Sequence, residues 1–149
     1  MPRLNCSNTY VLSIRPTYID RILMGLKTIE LRRRFPKATG VSTVLLYATS
    51  PVQAIVGHAT LEEVSHLSLH TLWRKFSKAA SVTREEFDKY FQGVEHGCAL
   101  HLTKVRALSN PLHLTDLTKK FEFSPPQSYC YSKEPLAVLA AHGRVKAST

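Results

Sequence analysis

The chain's apolar and polar positions change period twice before residue 35. Over residues 10–15, Val11 and Ser13 oppose Leu12 and Ile14, the period of two that a strand requires. Pro16 is expected to end this strand and Thr17 to cap a helix. Over residues 18–24 the spacing becomes helical, with Tyr18, Ile22 and Leu23 on one stripe and Ile19 at its edge. Gly25 is placed to stop that helix as a glycine just past its end. A period of two returns over residues 28–34. Pro36 and Gly40 then mark a loop. Residues 42–48 are a strongly apolar strand and Ser50-Pro51 a turn. Residues 53–63 read as a long strand interrupted at Gly57, the mark of a bulge or a barrel bend.

The second half alternates between helical and extended signals. Leu69, Leu72, Trp73 and Phe76 sit at helical spacing within residues 67–76, a stripe suited to packing on a sheet. Thr83 and Glu86 form a capping box that opens a helix through Tyr90 and Phe91, and Gly93 ends it. Residues 96–105 alternate as a strand, with Cys98, Leu100 and Leu102 on one face. One or two helical turns are expected over residues 114–120, with Thr115 as cap. Pro125-Pro126 keeps residues 124–132 extended. From Lys133 onward the sequence predicts a tail, with a short helix over residues 136–141 ended by Gly143 and fraying beyond. These elements predict one mixed domain of strands and short helices around a small curved sheet or barrel.

Composition changes this picture through charge. Twenty Lys and Arg against 11 Asp and Glu give +9, with seven His counted neutral. Residues 1–40 carry eight basic and two acidic side chains, residues 41–100 five and six, and residues 101–149 seven and three. A basic front and back around a neutral middle would make one positive face if the two ends met. Such a face favours a polyanion, because neutralised phosphates release counterions. Cys6, Cys98 and Cys130 are odd in number and far apart, which argues for reduced thiols in a cytoplasmic protein rather than a disulfide framework. No apolar run reaches the ~20 residues that span a bilayer, so no membrane partner is expected. His66 and His70 are four apart but lack an evident third ligand, so no metal and no cofactor is expected.

The chemistry concentrates between Gly25 and Arg34. Strand alternation turns Ile29 and Leu31 toward the core and Thr28, Glu30, Arg32 and Arg34 the other way. A hydroxyl, a carboxylate and two guanidiniums on one strand face are costly to bury unless paired or met by a ligand. Glu30 can orient Arg32 or Lys27, and the guanidiniums can fork onto phosphate oxygens. The plain alternative is a solvated face with cross-strand ion pairs. Further along, Gln127, Ser128, Tyr129 and Tyr131 offer groups that could read or stack on unpaired bases, and Ser50 could donate to a phosphate.

The string Gly25-x-Lys27-x-x-Glu30-x-Arg32, after a Ser-Ile-Arg-Pro strand end and a short helix, resembles the signature of ASCH domains, members of the PUA-like superfamily. The resemblance continues through Tyr47, Ser50-Pro51, Gly57, Thr83 to Asp88, Tyr90-Phe91 and the Pro125-Pro-Gln-Ser-Tyr129 segment with Tyr131. It implies an α+β fold, a PUA-like small β-barrel with short helices at the rim. It makes residues 1–132 the domain and 133–149 a C-terminal tail. It also implies a cleft lined by Gly25, Lys27, Thr28, Glu30, Arg32, Arg34, Ser50, Gln127, Ser128 and Tyr131, facing RNA or a nucleotide, with DNA as a further polyanion. Relatives of this type include an amidohydrolase of acetylated cytidine and a ribonuclease. For a hydrolase the resemblance points to Lys27 and Glu30 as catalytic groups, although the amidohydrolase has threonine where Glu30 stands. A protein module meeting an acidic partner is the third reading of the same basic face.

Overall fold

The computed structural model describes residues 9–37 and 40–131. The predicted tail, its short helix and Cys6 lie outside the described residues. The elements are β1 (Thr9–Ile14), α1 (Pro16–Leu23), β2 (Ile29–Arg32), β3 (Ser42–Ala48), β4 (Ala54–Ser68), α2 (Leu69–Ala80), α3 (Arg84–Tyr90), β5 (His96–His113), α4 (Leu114–Phe121) and β6 (Tyr129–Tyr131). No described helix is long and apolar enough to cross a membrane.

The strands form one sheet in the order β2-β5-β4-β3-β1-β6. Only β1 and β3 run parallel; the remaining neighbours are antiparallel. β4 and β5 are long, and their ladder shifts register three times, between Ile55 and Gly57, His58 and Thr60, and Leu61 and Glu63. Each shift bends and twists the pair. Gly57 is required at the first bend, since a Cβ there would stand 2.6 Å from the Arg106 carbonyl oxygen. The sheet therefore curls until its two edges meet. Arg32 on the β2 edge hydrogen-bonds across to Ser13 of β1 and to Ser128 just before β6. This is the α+β, PUA-like barrel that the resemblance implied.

Curling buries β1 and β3 on both faces, which explains why they are almost wholly apolar. Tyr10, Leu12, Ile14, Val44, Leu46 and Ala48 line the inside, with Ile19 and Ile22 of α1 as the plug. Val11, Leu45 and Tyr47 turn outward beneath α4, against Leu117 and Phe123. Ile29, Leu31 and Ala99 turn outward beneath α2 and α3, against Leu72, Phe87 and Phe91. The half-buried Trp73 belongs to this last cluster and does not stand free.

Several local expectations change. Pro16 starts α1 instead of merely ending the strand, with Arg15 rather than Thr17 at the cap position. Proline suits the first helical position because its missing N–H has no intrahelical partner there anyway. Likewise His113, not Thr115, precedes α4. β2 is shorter than residues 28–34, while β4 and β5 run well past residues 63 and 105. Consequently α2 begins only at Leu69, where the Ser68 side chain accepts the Thr71 N–H. His66 and His70 fall on different elements. The Thr83–Glu86 capping box forms as read, with both reciprocal bonds present. The front and back of the described chain are neighbours, because β1 pairs with β6 through Tyr10↔Tyr131.

Candidate functional site: a buried ionic clasp at the barrel seam

Gly25 closes α1 with φ of 81° and a hydrogen bond from its N–H to the Ile22 carbonyl. That left-handed turn suits a residue without Cβ. It redirects the chain so that Lys27 enters the interior before β2 begins. Thr28 stays exposed, its backbone fixed between Ala79 and Leu102.

The alternation in β2 is as the sequence indicates, but both faces are covered. Ile29 and Leu31 face the helices on the outside. Glu30 and Arg32 lie opposite Leu100 and Cys98, both of which line the inner core, and so point into the barrel. Lys27, Glu30 and Arg32 are 1%, 6% and 5% exposed. The expected solvent-facing ladder is thus a buried cluster.

Its bonds are specific. Glu30 Oε2 pairs with Arg32 Nη2 at 2.7 Å, and Glu30 Oε1 lies 3.6 Å from Lys27 Nζ. Lys27 donates to the Ala80 carbonyl oxygen at 2.6 Å and sits 5.0 Å from the centre of the Tyr18 ring. Arg32 Nη2 donates to the Ser13 carbonyl at 2.9 Å. Arg32 Nη1 donates to the Ser128 carbonyl at 3.1 Å and to its hydroxyl at 3.0 Å. Ser13 completes the clasp by donating its hydroxyl to Pro126 and its N–H to the Ser128 carbonyl. One guanidinium therefore holds the 126–128 segment against the end of β1.

Two features remain unbalanced. Among the described residues the cluster holds two cations against one carboxylate. In addition, Arg32 Nε is buried with no acceptor among the described residues. Burial is the largest influence on Lys27 and pushes its pKa down, opposed by the Glu30 carboxylate. A second layer surrounds the clasp. Tyr18 donates to Glu86 at 2.8 Å, Arg21 to the Ser81 carbonyl, and the Arg33 side chain to the Tyr90 and Gln92 carbonyls. Burial, then the Glu86 hydrogen bond, pushes the Tyr18 hydroxyl up to about 12.

The structure thus joins Lys27, Glu30, Arg32 and Ser128. Gly25 supplies the turn, while Thr28, Arg34, Ser50 and Gln127 are exposed around them. Among the described residues no hydrogen bond ties those four side chains to the clasp. Tyr131 lies at the other end of the seam. Ser13 and Tyr18 were missed by the sequence reading. Ser13, a polar position set between apolar neighbours in a strand, was the available signal for the first; Tyr18 had none beyond its helix stripe.

A family model described as a domain of unknown function, DUF365, matches residues 9–120. An ASCH domain-containing ribonuclease of Zymomonas mobilis is 31% identical over 125 residues, covering 83% of this chain and 84% of that one. The crystal structure of ASCH from Zymomonas mobilis matches at TM-score 0.82 and 28% identity, over 94% of this chain and 95% of the other. Human THYN1 protein, crystallised in complex with 5-methylcytosine containing DNA, shares only the fold, at TM-score 0.53 and 11% identity over 91% of this chain. Sequence, motif and fold agree, and the chain belongs to the ASCH domain family of the PUA-like superfamily.

Proposed function

We propose that this domain binds RNA at the barrel seam, with a phosphate or other anionic group of the RNA held over the seam by the positive charge of the buried Lys27–Glu30–Arg32 cluster and by the Arg32 side of it. The observation that carries this reading is the surplus positive charge buried there, together with the unpartnered Arg32 Nε. A buried cation without a counter-charge is costly, and a polyanion supplies one. Exposed Arg15, Arg33, Arg34 and Lys37 on the chain around the seam extend the attraction beyond it. The net charge of +9 and the ribonuclease relative from Zymomonas mobilis support RNA over a neutral ligand.

The test is binding of a short single-stranded RNA at several salt concentrations. Affinity should fall steeply with salt. Lys27→Met removes the surplus cation while keeping an apolar stem, and should weaken binding several-fold with the fold retained. Absence of salt-dependent binding, or a Lys27→Met affinity equal to wild type, would contradict the proposal.

A hydrolytic reading draws on the same relative. Lys27 and Glu30 are covered by Ala80, Tyr18 and Arg32, which suits positioning of Arg32 better than contact with a scissile bond. Cleavage would then fall to groups at the seam surface, such as the Ser128 hydroxyl beside the guanidinium. Incubation with RNA tests this: shortened products that vanish with Ser128→Ala would support hydrolysis, and intact RNA would leave binding alone.

A further inference from the structure

The opposite end of the seam is closed by rings. Tyr10, Phe35, Tyr129 and Tyr131 pack together across the gap between β1, β6 and the segment after β2. Tyr10 and Phe35 are buried, with ring centres 5.0 Å apart, and Phe35 lies 4.7 Å from Tyr129. Tyr131 differs from the rest because it is 59% exposed. Its ring centre is 4.8 Å from that of Tyr10 with an interplanar angle of 31°, nearer to parallel than the other three contacts in the cluster. Burial, followed by the adjoining Tyr131, pushes the Tyr10 hydroxyl up to about 12.

An exposed aromatic ring on its own signifies little. This ring is backed by the buried Tyr10 ring, which itself packs on Phe35 and Tyr129. Exposed Arg33, Arg34 and Lys37 flank Phe35 in the chain. Three residues of extended chain, about 10 Å, separate it from Ser128 and the Arg32 clasp. A flat, exposed ring with a supported back is what an unpaired base requires, since every base has a π-face and each stack adds affinity. A base within a duplex is already stacked on both sides and cannot use it.

We infer that Tyr131 is a stacking platform for an unpaired base, which makes single-stranded RNA the substrate class of the seam. The inference rests on the RNA-binding reading above. A short oligoadenylate, a copy carrying one abasic nucleotide scanned along its length, and the corresponding duplex serve as probes, each compared at the same series of salt concentrations. Tyr131→Ala should weaken oligoadenylate binding about tenfold and leave the salt dependence unchanged, whereas Tyr131→Phe should bind as wild type does. At one abasic position the wild-type protein should lose a similar factor, and Tyr131→Ala should then cost nothing more. The duplex should bind more weakly than the single strand and ignore Tyr131. RNA binding that is indifferent to Tyr131→Ala, or equally reduced on every abasic oligomer, overturns the platform but leaves the RNA reading standing. If wild type fails to bind RNA at low salt, the RNA reading falls and the platform with it.

Discussion

The barrel seam is closed in two chemically opposite ways. At one end Arg32 reaches across from β2 and fastens Ser13 and Ser128 while Glu30 holds it in place. At the other end four rings fill the same gap. Apolar packing is non-directional and adds stability in proportion to the area buried. A buried ionic clasp is directional, and every group must find its partner or remain a cost. A fold that needed closure alone could use rings at both ends. Placing charge at one end installs oriented donors, one of which, Arg32 Nε, has no acceptor among the described residues, and oriented donors are what a binding site requires.

The two ends should therefore respond differently to substitution. The largest effect is expected for Arg32→Ala, which leaves Glu30 buried against Lys27 alone. About 3–5 kcal/mol of stability should be lost in urea denaturation. Even Arg32→Lys should cost about 2 kcal/mol, because an ammonium cannot span Glu30, Ser13 and Ser128 together. At the aromatic end Phe35→Leu should cost about 1–2 kcal/mol, and Tyr129→Phe less than about 0.5 kcal/mol. A Phe35→Leu loss as large as that of Arg32→Lys would erase the distinction.

Alkaline titration sharpens the comparison, because each end holds a tyrosine pushed from 10.0 to about 12, Tyr18 beside the clasp and Tyr10 among the rings. Between those values the folded chain keeps protons that the unfolded chain releases. Stability should thus be full below pH 10 and fall as pH rises toward 12. Tyr18→Phe should remove part of that fall, read as unfolding midpoints against pH. The shift at Lys27 has the opposite sign. Its folded pKa lies below 10.5, so its cation is lost while ordinary lysines remain charged. As pH rises, RNA affinity should therefore start to fall before pH 10.5 is reached, and Lys27→Met should not show that component. The smallest effect is expected for exposed Arg34. Arg34→Ala should leave stability within about 0.5 kcal/mol and lower the salt slope of RNA binding by about one.

Much of the fold could be read from the chain. The 42–48 strand, the glycine stop after α1 and the capping box of α3 rest on local physics and stand where that physics puts them. The ends of β4 and β5 were less legible. The strands expected over residues 53–63 and 96–105 stop short of the real ends, because bulges and exposed polar positions let the ladder continue to Ser68 and His113. The site was half legible. Alternation placed Glu30 and Arg32 on one face, and the motif named Lys27 as their companion. What alternation cannot tell is which face of a curled sheet lies inside. Ile29 and Leu31 read as core, and they are buried, but beneath α2 and α3 on the outer surface. The charged face took the interior because Ser13 and Ser128, distant in sequence, supply its hydrogen bonds. Long-range partners of that kind leave no periodic trace.

The most direct measurement is the NMR signal of the Arg32 side-chain Nε–H, assigned by its disappearance in Arg32→Lys, followed as single-stranded RNA is added. In the free protein that group is buried and has no acceptor among the described residues. If the seam receives RNA, the signal should shift and gain protection from solvent exchange in step with binding. RNA that binds while the Arg32 Nε–H signal stays unchanged would place the interaction elsewhere and contradict the proposed role of the clasp.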